Sequence, residues 1–209
     1  MIIKELGDFT GTGKFAQAGR NAEETMAFYL KRAFGDDQKV AVFNNLRLEK
    51  QDDAAQIDHL VIHRYGMIII ESKSVTTRVE VNEYGEWKRC FNDTCQGIPS
   101  PIQQAKRQAE FLKKYLEDHV ENLLRKVLGL QTHFGVMPID WIVAISDDGI
   151  INRPKNNPLE EVYKADQVSD QVRTLIEKRR KADSLFNLSL KDTGFSFNEV
   201  EFSKITQFL

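Results

Sequence analysis

The chain has 209 residues, of which 41% are hydrophobic and 29% charged, and its formal net charge is −2 at pH 7. That composition excludes a disordered or fibrous chain. The near-neutral balance excludes a global basic field, so any affinity for nucleic acid must be local.

The length suits one medium-sized domain over residues 1–209. The opening MIIKELGDFTGTGK has no apolar leader, and no apolar run approaches the 18 or so residues that span a bilayer. A cytoplasmic protein without a membrane partner is expected. Residues 1–18 read as loosely structured. In GRNAEETMAFYLKRAF, Met26, Ala27, Leu30 and Phe34 share a helical face, with Asn21 placed as N-cap. KVAVFNNLRL alternates as a strand, and the polar EKQDDAA leads into two apolar strands, QIDHLVI and GMIIIESK. TTRVEV and EWKRCF follow as strands joined by a turn from Asn82 to Gly85.

SPIQQAKRQAEFLKKYLEDHVENLL carries the strongest helix pattern. Ser100 suits the cap and Pro101 the first turn, and Ile102, Ala105, Ala109, Leu112 and Leu116 form an apolar stripe. DWIVAIS reads as a short buried strand, VSDQVRTLIEKRR as a helix and FNEVEFSKITQFL as a last one. The order implies an α/β fold with a mixed sheet between helices.

The hairpin QIDHLVIHRYGMIIIESKS places Asp58, Glu71 and Lys73 in otherwise apolar wall. With Tyr65 and Gly66 as the central turn residues, Asp58 lies opposite Lys73 and Leu60 opposite Glu71, so all three charges share one face. A one-residue slip would throw Glu71 to the other side. In the favoured register Asp58 and Glu71 are diagonal neighbours about 7–8 Å apart. Carboxylates can close that separation around Mg²⁺, an ion that takes one or two protein acids and leaves its other positions to water and phosphate. Lys73 would then orient an attacking water and stabilise charge on a phosphate. The competing account is an Asp58–Lys73 ion pair that ends the hairpin, which leaves Glu71 unexplained. Glu86-Trp87-Lys88 repeats the Glu-X-Lys spacing beyond a turn and reads as a solvated hairpin face.

Glu23 in an early helix, QIDHLVI, GMIIIESK and then SPIQQA opening a helix resemble, in that order, the NERD (nuclease-related) domain of the PD-(D/E)XK nuclease superfamily. The resemblance covers about residues 19–118 and leaves 119–209 as an α/β completion. It implies a restriction-endonuclease-like mixed β-sheet flanked by helices and metal-dependent cleavage of nucleic acid. Asp58 and Glu71 then resemble the metal-binding carboxylates, Lys73 the catalytic lysine and Glu23 a supplementary metal-binding acid, with Mg²⁺ or Mn²⁺ as cofactor. Gln104 matches the glutamine that opens the following helix. Ala22 stands where glycine usually precedes the helix acid and Ser72 in a usually apolar position; neither removes a functional group. DNA is the expected substrate. The rival reading is an inactive nuclease-fold module that binds DNA or RNA without cutting.

Lys106, Arg107 and Gln108 on the central helix are candidate nucleic-acid contacts, because phosphate contacts dominate such affinity. Lys113, Lys114 and the run Lys178 to Lys181 are further basic candidates. GTGK at Gly11 to Lys14 fails as a phosphate loop: Asp8 takes the place of its first glycine and Phe15 that of the Ser/Thr. His59 and His63 should point away from the Asp58 face. Cys90 and Cys95 read as two ordinary thiols, since a pair alone cannot complete a zinc site.

Overall fold

The computed structural model describes residues 1–92, 94–186 and 195–209. In chain order the elements are β1 (Ile2–Lys4), α1 (Lys14–Phe34), β2 (Val40–Lys50), β3 (Asp53–His63), β4 (Gly66–Lys73), β5 (Arg78–Val81), β6 (Trp87–Phe91) and β7 (Thr94–Ile98). There follow α2 (Pro101–Glu117), α3 (Val120–Leu123), β8 (Lys126–Val127), β9 (Leu130–Gln131), β10 (Ile139–Ile145), β11 (Ile150–Asn152), β12 (Val162–Lys164), α4 (Ala165–Phe186) and α5 (Glu199–Phe208). Among the described residues, no helix is long and apolar enough to cross a membrane.

Six strands form the main sheet in the order β1-β2-β3-β4-β10-β12, and four form a second sheet in the order β11-β5-β6-β7. Strands β2, β3 and β4 run antiparallel in sequence, whereas β10 lies parallel to β4. The uninterrupted apolar run of β4 follows from this central position with both faces covered. Met67 and Ile69 pack with Ala105, Ala109, Leu112 and Leu116 of α2 and Ile205 of α5. Ile68 and Ile70 pack on the other face with Met26, Leu30 and Phe34 of α1 and Val168 and Val172 of α4.

The stripe expected on α2 is buried, and its Ser100 hydroxyl accepts the Gln103 N–H with Pro101 in the first turn. The start of α1 differs from expectation. The helix begins at Lys14, not after Asn21, whose side chain accepts a bond from Gln17 Nε2 on the helix flank at 2.8 Å. Its first turns carry no buried apolar stripe, and Phe15 is 87% exposed, so no periodicity marks them. Nor is the N-terminus loose throughout: β1 pairs with β2, and the terminal amine donates to the carbonyls of Phe34 and Asp37 at 2.7 and 2.6 Å.

The β3–β4 register is a second correction. His63 pairs with Gly66 and Leu60 with Ile69, so Arg64 and Tyr65, not Tyr65 and Gly66, are the central turn residues. Gly66 has φ +144°, and a Cβ there would meet the Pro138 carbonyl oxygen at 2.5 Å. Both features exclude a side chain at Gly66, which opens β4 and is not a central turn residue. The slip in pairing is two residues, an even number, so every side chain keeps its expected face.

The cysteines are a third. Cys90 and Cys95 form a disulfide between directly paired positions of β6 and β7. Their spacing of five carries both onto the same side of a tight hairpin, where thiols meet without a metal.

Candidate active site

The β3–β4 ladder runs as far as His59 paired with Ile70. One step beyond stand Asp58 and Glu71, where the regular rungs stop. The Ser72 N–H turns to a side chain here and donates to Asp58 Oδ2 at 2.8 Å. Asp58 is half-buried, while Glu71 is only 1% exposed. The two acids thus sit on adjacent strands, one rung nearer than the diagonal arrangement expected.

Glu71 lies under α2 because it continues the alternation of Met67 and Ile69. Lys73 Nζ donates to Glu71 Oε1 at 2.5 Å and to Gln104 Oε1 at 3.1 Å. Gln108 Nε2 donates to Glu71 Oε2 at 2.9 Å. Four of the residues singled out in the sequence are therefore joined by direct hydrogen bonds: Glu71, Lys73, Gln104 and Gln108.

Charge is crowded here. Burial, and then the negative charge of Glu71, push the Asp58 carboxyl up to about 8, against the opposing pull of the Ser72 N–H. Glu23 reaches the same neighbourhood from α1, on the other face of the sheet. Burial raises its carboxyl, Arg20 lowers it, and Glu71 raises it again. Glu23 feels the site without completing a cluster: among the described residues, no three His, Cys, Asp or Glu side chains form a ready metal-binding group. The donors that fit a hard divalent cation are Asp58 and Glu71, two acids whose mutual repulsion a positive ion between them would relieve.

Gln108 is corrected. It is 6% exposed and also donates to the Gln56 carbonyl at 2.8 Å, so it belongs beneath the acids and not on a nucleic-acid surface. Its i, i+4 spacing from Gln104 on one helix was the signal available in the sequence. Of its former companions, Arg107 is exposed and Lys106 places its ammonium 5.3 Å from the centre of the Trp141 ring. Three of the other basic candidates are engaged elsewhere. Lys113 donates to the carbonyls of Gly135 and Met137, Arg179 pairs with Asp140 and Arg180 with Glu177. Lys88 of the Glu86-Trp87-Lys88 decoy pairs with Glu80 on the second sheet. His59 and His63 are buried and held neutral, with burial lowering them to about 3 and about 4, and His59 Nδ1 meets Asn44 Oδ1 at 2.8 Å. A cleft of about 720 Å³ between the second sheet and the start of α2 is lined by Trp87, Lys88 and Ser100 among others, and none of the site acids lines it.

A family model described as nuclease-related domain (NERD) matches residues 18–146. No curated protein and no solved structure matches the chain.

Proposed function

Because the chain belongs to the nuclease-related domain family, within the PD-(D/E)XK-like nucleases, we propose that it is a Mg²⁺- or Mn²⁺-dependent nuclease that hydrolyses phosphodiester bonds in DNA. The mixed sheet between helices agrees with the restriction-endonuclease-like fold of that superfamily. We read residues 1–209 as one nuclease-like domain, since β10 and β12 extend the same sheet and α5 shares a core with α2.

The observation that carries the reading is the pair of acids one step past the end of the β3–β4 ladder, with an ammonium on one of them. Asp58 and Glu71 would hold the ion, which supplies Lewis-acid stabilisation of phosphoryl charge and a more acidic water. Lys73 then gives its proton-rich head to the water and to the charge that grows on the phosphate. Gln104 Oε1 keeps that head aimed without adding charge, as a neutral acceptor can. Glu23 adds negative potential from α1 and favours cation uptake.

The test is incubation with linear, circular and single-stranded DNA and with RNA, each with Mg²⁺, Mn²⁺ or EDTA. Metal-dependent product that Lys73→Ala or Asp58→Asn abolishes supports the proposal. The rival, a module that binds without cutting, draws on two observations: Lys73 pairs with Glu71, and among the described residues Glu23 forms no three-acid group with Asp58 and Glu71. Binding with no product under any condition would decide for it.

A further inference from the structure

Gln108 has an environment unlike that of a surface-contact glutamine. Its single amide nitrogen donates to two oxygens on different strands, the Gln56 carbonyl of β3 and Glu71 Oε2 of β4. Only the nitrogen can donate to both, so the orientation of the amide is determined by its partners. This link falls beyond the last regular rung of the ladder, His59 with Ile70. A helix side chain thus ties the strands together where their own backbones do not.

The same bond makes the two oxygens of Glu71 unequal. Oε2 is held by a neutral, buried donor. Oε1 is held by Lys73, whose side chain is 24% exposed and shared with Gln104. Gln108 Oε1, meanwhile, is buried and has no partner among the described residues. An unmatched buried acceptor destabilises the fold, and methionine would fill the same space without one. A glutamine retained only for packing has no reason to accept that cost; one that must donate to Glu71 does.

We propose that Gln108 is a positioning residue for the cation site: it commits Glu71 Oε2 and fixes the carboxylate plane, so that Oε1 is the oxygen presented to a divalent ion. This rests on the nuclease reading above. A neutral amide suits the task because a second ammonium beside that of Lys73 would cancel the remaining negative charge that draws the ion, and a carboxylate would repel Glu71. Partners that orient ligating carboxylates characteristically matter about 10- to 100-fold in metal affinity.

The experiment is calorimetric titration of Mn²⁺ into the full chain and into Gln108→Met, Gln108→Asn and Glu71→Gln. Gln108→Met and Gln108→Asn should each weaken Mn²⁺ binding about 10- to 100-fold, the second because its amide is one methylene short of reaching both oxygens. Binding within twofold of the unsubstituted chain would overturn the proposal. Should the substitutions prevent folding, the unsubstituted chain decides by NMR. Its Gln108 side-chain amide resonances should be protected from exchange and should shift as Mg²⁺ saturates; freely exchanging or unmoved resonances would overturn it. If the unsubstituted chain takes up no Mn²⁺, or Glu71→Gln takes it up equally, the nuclease reading falls and this inference with it. If Glu71→Gln loses Mn²⁺ while Gln108→Met retains it, only the role of Gln108 falls.

Discussion

The Lys73 ammonium lies 2.5 Å from Glu71 Oε1, two positions earlier on the same strand and on the same face. Glu71 is only 1% exposed, so Lys73 and Gln108 between them provide its compensation in place of water. The pair serves two ends at once. It lets a carboxylate be buried at the end of an apolar strand, and it keeps an ammonium beside the proposed cation site.

Removal of Lys73 should therefore be felt in both stability and activity. Lys73→Met leaves Glu71 buried with a neutral partner alone, which should cost on the order of 2–4 kcal/mol, moderated by the partial exposure of the lysine. Adding Glu71→Gln should restore most of it. Urea unfolding of the four chains gives the coupling directly. Cleavage should fall by about 10²- to 10³-fold in Lys73→Met, and an unfolding midpoint equal to that of the unsubstituted chain would remove the buried-pair account.

Asp58 predicts a slope with pH. In the folded chain its carboxyl keeps a proton up to about pH 8, against an ordinary value of 3.8. Between those values the folded state binds more protons than the unfolded one, so this residue makes stability fall as pH rises through that window. Asp58→Asn should melt higher than the unsubstituted chain at pH 8, by about 2–4 °C, and lose the advantage near pH 4. A divalent ion favours the charged carboxylate, so the thermal shift on adding Mg²⁺ should grow with pH over the same range. Equal melting profiles at both pH values would count against the crowding of acids at the ladder end.

The Cys90–Cys95 bond closes a short loop. In the chain-entropy description a loop of this size contributes about 2 kcal/mol. Reduction, or Cys90→Ala with Cys95→Ala, should lower the melting temperature by about 4–8 °C. Thiol titration of the native chain should detect no reactive sulfhydryl, and two after reduction. Two thiols without reductant would return the pair to its sequence-based reading.

Arg107 is the exposed cation nearest along α2 to the site glutamines. If it meets a phosphate, Arg107→Ala should weaken binding to DNA uniformly across sequences and reduce the salt slope of log K by about 1. Fluorescence anisotropy with one duplex at several salt concentrations measures this. An unchanged slope would assign Arg107 to solvent.

The elements that rest on local chemistry were readable from the residues. Helix α2 carries its own cap, its own starting proline and its own apolar stripe, and all three are used as expected. The order Asp58, Glu71, Lys73 along two apolar strands was likewise enough to place the three charges within one region. The start of α1 was not readable, because its first turns bury no apolar stripe and so leave no periodic mark.

What the sequence by itself determined is which side of each strand a residue occupies, because side chains alternate at every step whatever the neighbouring strand does. Only the tertiary structure decided how far along the strands the partners meet. With Gly66 packed against Pro138 at the start of β4, the turn falls on Arg64 and Tyr65, and Asp58 comes level with Glu71. The fate of Gln108 was decided the same way: a glutamine on a helix is polar surface until the packing of that helix on a sheet puts a buried carboxylate within reach of its amide. Alternation is a property of one chain segment, whereas register and burial belong to pairs of segments, and no single segment contains them.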